Sequence, residues 1–141
     1  MTPERGPKSE FRWPVRVYYE DTDAGGVVYY ANYLRFMERA RTEWLRELGF
    51  EQDRLRERLG VLFAVRRAAI DYLSPARFNE LLEIRSELIG RGGVSLDFRQ
   101  QVVRTTDDVV CCGGEIKIVC VAAETLRPTR IPKAIVVELD R

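Results

Sequence analysis

The sequence predicts an α+β fold, an antiparallel sheet packed against one long helix, and three observations predict it. One strongly amphipathic helical stretch lies early in the chain. Four alternating or β-prone apolar stretches follow, separated by short turns rich in Gly, Pro and Asp. Helical and extended patterns do not alternate, so a doubly wound parallel sheet is not expected. At 141 residues the chain suits a single domain with a sizeable core. The expected division is a polar tail over residues 1–10, one domain over 11–137 and a short tail over 138–141.

Along residues 13–19 the odd positions are Trp13, Val15, Val17 and Tyr19, with Arg16 and Glu20 on the other face, which is a strand's period. The run Asp21-Thr22-Asp23-Ala24-Gly25-Gly26 is turn chemistry and ends it. Over residues 30–48, Leu34, Met37, Ala40, Trp44, Leu45 and Leu48 recur at helical spacing, and Gly49 supplies a C-terminal cap. Residues 51–59 read as a short charged helix with Leu55 and Leu59 to bury, stopped by Gly60. Residues 62–73 are apolar and β-prone, closed by Ser74-Pro75. Over 81–89, Leu82, Ile84 and Leu88 oppose Glu83, Arg85 and Glu87. Gly90-Arg91-Gly92-Gly93 reads as a hairpin turn without the spacing of a nucleotide-binding loop. Residues 95–104 group Leu96, Phe98 and Val102. Residues 109–123 form the longest strand, turning Cys112, Ile116, Ile118 and Cys120 inward and Glu115 and Lys117 outward. Residues 127–133, with Pro128 and Pro132 among basic side chains, read as an extended, solvated segment. The single apolar helix face belongs on the concave side of the sheet.

Composition narrows the chemistry. Lys+Arg number 23 against 22 Asp+Glu, a formal charge of +1, which gives no electrostatic footprint for nucleic acid or a membrane surface. No run of apolar residues is long enough for a transmembrane helix, and the polar N-terminus carries no apolar leader. The chain has no histidine. That removes Ser-His-Asp and Cys-His nucleophile activation and His-based zinc sites. Acid–base chemistry must use carboxylates, Tyr, Lys, Cys or backbone dipoles. Cys111, Cys112 and Cys120 have no metal-ligand spacing and read as reduced core thiols of a cytoplasmic protein. No metal and no cofactor are expected.

The informative segment is Asp21 to Tyr33, DTDAGGVVYYANY. Two carboxylates stand two residues apart after a strand, and two glycines lead into a helix start whose free N–H groups carry partial positive charge. Such a segment can set a carboxylate beside a carbonyl held by a helix-end N–H. It reads equally as an Asx-rich turn with helix capping, and local pattern does not separate the two.

The stretch from Val15 to Tyr29, VRVYYEDTDAGGVVY, with Tyr33, Glu38, Arg39, Ala40, Arg41 and Glu43 after it, resembles the hotdog-fold acyl-CoA thioesterases. More specifically, it resembles the branch encoded with the bacterial Tol-Pal system, related to the 4-hydroxybenzoyl-CoA thioesterases. Phe11-Arg12-Trp13-Pro14, Tyr72 with Pro75-Ala76-Arg77, Leu82-Glu83-Ile84, Arg127-Pro128 and Ile131-Pro132 extend the resemblance over residues 11–137. The resemblance implies a sheet wrapped around a central helix, subunits paired through their sheets as dimers or dimers of dimers, and active sites at the subunit interface. It implies catalytic roles for Asp23, for Tyr30 through its backbone N–H, and for Tyr19. It makes Asp21 a structural turn residue and places Gly26, Val27 and Arg91 at the substrate.

Two departures stand out. The Tol-Pal branch usually has histidine where this chain has Tyr30, as the 4-hydroxybenzoyl-CoA branch does, and only Arg91 is basic in the turn where aromatic-substrate relatives carry several cations. The implied reaction is hydrolysis of an acyl-CoA or acyl-carrier-protein thioester. The alternatives are a non-catalytic module binding the same partners and a hotdog dehydratase or hydratase, whose familiar versions pair an acid with histidine.

Overall fold

A computed structural model describes residues 10–140. The predicted tail over residues 1–10 therefore lies outside the described residues, apart from Glu10, which opens the first strand. Five strands, β1 (Glu10–Arg16), β2 (Val61–Tyr72), β3 (Leu81–Arg91), β4 (Ser95–Arg104) and β5 (Val109–Ala122), form one sheet in the order β1-β3-β4-β5-β2. Every pairing is antiparallel. The helices are α1 (Tyr30–Glu47), α2 (Gln52–Leu59) and α3 (Lys133–Leu139).

The α1 helix forms where the 3.6-residue period predicts and buries Tyr33, Phe36, Met37, Ala40, Trp44 and Leu45. These side chains share the core with Leu82 and Ile84 of β3, Leu96, Phe98 and Val102 of β4, and Ile116 and Ile118 of β5. The Trp44 ring lies parallel to Phe11 at 5.8 Å and edge-on to Phe98 at 5.5 Å. Leu34, assigned to the buried stripe from sequence, stands exposed, because the buried face is rotated toward Tyr33 and Phe36. At the far end Gly49 takes φ 100°, and the Phe50 N–H reaches back to the Leu45 carbonyl at 2.8 Å, closing the helix.

A polar island interrupts this apolar interface. Gln100 of β4 is fully buried, receives Arg41 Nη1 at 2.8 Å on its Oε1, and donates from Nε2 to the Met37 carbonyl at 3.0 Å and Ser86 Oγ at 2.9 Å. Burial pushes the Arg41 guanidinium down to about 10, so it remains a cation at neutral pH.

Four expectations need correction. The first strand ends at Arg16 rather than running to residue 19. Residues 127–133 are extended and mostly exposed, but they do not end the fold: Ile131 is buried with its N–H donating to the Gly93 carbonyl at 3.0 Å, and α3 follows with Ile135 and Leu139 buried. Leu59 is exposed, so the two-turn α2 buries Leu55 alone. Gly90 and Arg91 belong to β3, paired with Asp97 and Leu96, after a bulge between Leu88 and Gly90. The turn itself is Gly92-Gly93, closed by Gly92 N–H to the Ser95 carbonyl at 2.8 Å.

All three cysteines are free and buried, and burial raises each thiol, Cys112 from 9.0 up to about 12. A thiol raised on folding adds stability that is fully present below its unfolded pKa and is lost as pH rises through the folded one. Stability should therefore fall between pH 9 and about 12. A chromogenic disulfide reagent at pH 8 is expected to titrate no thiol in the native protein and all three in guanidinium.

Candidate active site

The segment from Tyr18 to Tyr33 is built around Asp21. Its side chain is 4% exposed; Oδ2 accepts the Tyr18 N–H at 2.8 Å and Oδ1 accepts Asn32 Nδ2 at 2.9 Å. Its carbonyl accepts the Tyr29 N–H at 2.8 Å. One aspartate thus closes the 3-10 turn Tyr19–Asp21 and ties it to the first turn of α1. Asp21→Ala leaves the buried Asn32 amide and the part-buried Tyr18 N–H without their acceptor and should cost about 2 kcal/mol of stability, read in a denaturant melt.

Asp23 is placed differently. Its carboxylate is exposed, and Oδ1 accepts the Gly25 N–H at 2.8 Å, an Asx turn. Its backbone closes the loop through Asp23 N–H to the Val27 carbonyl at 2.9 Å and Gly26 N–H to the Asp23 carbonyl at 3.0 Å. Gly26 holds φ 80°, and a Cβ there would meet nothing within 4 Å, so the loop leaves open space at this point. Val28 returns to the body of the protein through its N–H to the Ala76 carbonyl at 2.8 Å.

The N-terminus of α1 is uncapped: Tyr29 occupies the cap position and no side chain bonds the first-turn amides there. The Tyr30 N–H therefore keeps its donor capacity at the positive end of an 18-residue helix. The Tyr30 ring has aromatic neighbours, Tyr29 at 4.9 Å and Tyr72 at 5.9 Å between ring centres. Tyr33 is fixed beneath them, its hydroxyl accepting the Ala76 N–H at 3.1 Å. The neighbouring Tyr30 hydroxyl raises the Tyr29 phenol, and burial raises those of Tyr33 and Tyr72. These three phenols are protonated near neutral pH and are not bases, which leaves the exposed carboxylate of Asp23 as the candidate base on the loop.

The expected residues are not all brought together. Asp23, Gly26, Val27 and Tyr30 form one continuous loop-and-helix unit. Tyr19, expected to share a strand face with Trp13, Val15 and Val17, leaves that face because the Asp21 turn begins at Tyr18; it is 76% exposed and stacks on Phe78 at 3.8 Å. Arg91 ends β3, whose first residue pairs with Arg16 at the end of β1 and follows the segment whose Arg77 bridges Val27 of the Asp23 loop. Ten residue steps, about 33 Å of strand, thus separate Arg91 from that loop within one chain. Arg91 instead pairs with Asp140 at 3.0 Å. Sequence reasoning gave no role to Asn32, Phe78, Arg41 or Gln100. Asn32 had a signal, a short amide in the first helical turn near a carboxylate. Gln100 had another, a polar residue among inward-facing Leu96, Phe98 and Val102. Among the described residues, no three His, Cys, Asp or Glu side chains converge as a metal site, and no helix is long and apolar enough to cross a membrane.

A five-stranded antiparallel sheet with one long helix packed on it is the architecture of the hotdog-fold thioesterases. Residues 17–139 match the family model described as Thioesterase-like superfamily, and the chain belongs to that family. It is 48% identical to the acyl-CoA thioester hydrolase YbgC of Escherichia coli O6:H1 over 93% of this chain and 96% of that protein. It is 44% identical to the acyl-CoA thioesterase YbgC of Haemophilus influenzae over 89% of this chain and 90% of the relative. A solved structure of the hypothetical protein TT1821 from Thermus thermophilus aligns at TM-score 0.83 and 32% identity, covering 93% of this chain and 95% of its own.

Proposed function

We propose that this protein hydrolyses acyl-CoA thioesters with Asp23 as its catalytic carboxylate. One observation carries the reading: an exposed aspartate stands on the loop that leads directly into the uncapped start of α1. The thioester carbonyl oxygen accepts the Tyr30 N–H, and the helix dipole stabilises the negative charge that develops there. Asp23 either takes a proton from the attacking water or attacks the carbonyl carbon itself to form an anhydride that water then opens at the acyl carbon, freeing the Asp23 carboxylate. In both routes the C–S bond breaks, its electron pair leaves on sulfur, and water supplies the oxygen of the free acid. The missing histidine is no obstacle. A thiol pKa of ~8.5 makes the thiolate a good leaving group without an acid beside it. The relatives named as acyl-CoA hydrolases support the coenzyme A thioester as substrate. Gly26 and Val27, at the open part of the loop, line the approach of the thioester.

The edge of the sheet supports an assembly of paired subunits. The β2 strand is 12 residues long, lies at the sheet edge and exposes Val65 and residues 66–69. An unpaired edge of that length invites a partner strand, and a second copy of β2 is the natural one. In an antiparallel self-pairing the start of β2 faces the end of its counterpart, where Tyr72 touches Tyr30. The site of one copy would then be completed by the other. The three buried free thiols suit a reducing cytoplasm.

A panel of short-chain, long-chain and aromatic acyl-CoAs, followed by free-thiol release, tests the activity. Hydrolysis of at least one member is expected; tight binding of thioesters with no release from any would favour a binding module. Light scattering should give the mass of a dimer or tetramer, and a monomer would count against the shared site.

A further inference from the structure

Gln100 has a role in the site although it does not line it. Its amide orientation is set by its neighbours: the Met37 carbonyl is only an acceptor and the Arg41 guanidinium only a donor, so Nε2 faces the helix backbone and Oε1 faces Arg41. Ser86, its register partner on β3, takes the second Nε2 hydrogen at 2.9 Å. The fully buried amide therefore binds β3, β4 and the backbone of α1 in one arrangement.

The contacts around it are apolar: Phe36, Met37, Ala40 and Trp44 on Leu82, Ile84, Leu96 and Phe98. Such contacts are strong but non-directional, and they tolerate small slides and rolls of a helix on a sheet. Directional bonds remove that freedom. Met37 lies seven residues from Tyr30, about 10 Å along a rigid helix, so a shift at Met37 arrives undiminished at the Tyr30 N–H. Asn32 holds the first turn to Asp21, and Gln100 holds the helix one and a half turns further on. Two fixed points define both position and roll.

We infer that Gln100 is a positioning residue for thioester hydrolysis, holding the α1 backbone at Met37 so that the Tyr30 N–H meets the substrate carbonyl. This rests on the proposed role of Tyr30. Arg41 supports the amide from the helix side, and its removal leaves the bond to Met37 in place.

The test uses Gln100→Met, which replaces the amide with an unbranched apolar chain of similar length, and Gln100→Glu, which keeps the partner for Arg41 but loses both N–H donors. Both should lower kcat about tenfold with KM within about threefold, while Arg41→Met loses less. Since one of these variants can fail to fold, each is accepted only with a cooperative melt, and Ser86→Ala, which loosens the amide without removing it, is the reserve with the same direction of effect. The deciding readout is spectroscopic: the infrared stretch of a carbon-13-labelled thioester carbonyl bound to the Asp23→Asn protein. Adding Gln100→Met should move it back toward its value in water. An unchanged stretch, or a loss of melting temperature with kcat intact, overturns the positioning role and leaves Tyr30 in place. A bound carbonyl that already matches free thioester in the Asp23→Asn protein alone overturns the role of Tyr30, and the inference with it.

Discussion

Asp23→Asn is expected to lower turnover by about 10²–10⁴-fold, the usual worth of a positioned general base, while leaving the fold and substrate binding intact. The side chain is exposed, and its one intramolecular bond runs from the Gly25 N–H to Oδ1, which an asparagine oxygen can accept equally well. What the amide cannot do is take a proton from water at neutral pH or attack a carbonyl. The Tyr30 N–H is untouched, so the thioester should still bind with its carbonyl polarised. Loss of kcat with near-normal KM and an unchanged melt is the signature. The contrast with Asp21 is instructive, because the two aspartates stand two residues apart. One is buried and bonded on both oxygens, so its loss should appear in stability first.

Gly114→Ala is expected to be the most damaging single substitution outside the site. A Cβ there would clash with the Ala69 carbonyl oxygen and lie 2.6 Å from Ile70 Cδ1, near the Tyr72 end of the β2–β5 pairing. Backbone stands in the way, so relief requires the two strands to part. The cost should be about 3 kcal/mol or more, at the upper end of overpacking effects, read as a loss of soluble protein or a lower denaturation midpoint. Because β2 is the edge strand, any shared site that depends on it should lose activity together with the fold.

Periodicity made the central helix and the strands legible before any coordinates. The stripe Met37, Ala40, Trp44, Leu45 marked α1, and the alternation of Leu82 and Ile84 with Glu83 and Arg85 marked β3. Long elements with one buried face carry their period in plain view. The misses have physical causes. Pro128 and Pro132 suggested an extended tail, yet Ile131, Ile135 and Leu139 stand at a four-residue spacing, and Pro132 sits at the cap position where a missing N–H costs a helix nothing. Tyr19 obeyed the alternation of the strand before it, and a buried carboxylate two residues later broke that alternation.

At the candidate site, the sequence carried the motif but not the division of labour within it. Asp21 and Asp23 are identical in type and sit in the same turn; burial separates them, and burial depends on Asn32 and on the backbone that folds across them. Arg91 shows the opposite failure. Its neighbours Gly90, Gly92 and Gly93 read as a turn, while the bulge after Leu88 carries the strand through it and places its charge on Asp140.

The central claim is that Asp23 and the Tyr30 N–H together hydrolyse a thioester. The most direct test is free-thiol release from the best acyl-CoA of a panel, with wild type and Asp23→Asn run side by side and thioester affinity measured for both. Release by the wild type, loss of release in Asp23→Asn and equal affinity in the two proteins are predicted. Undiminished release by Asp23→Asn would contradict the account.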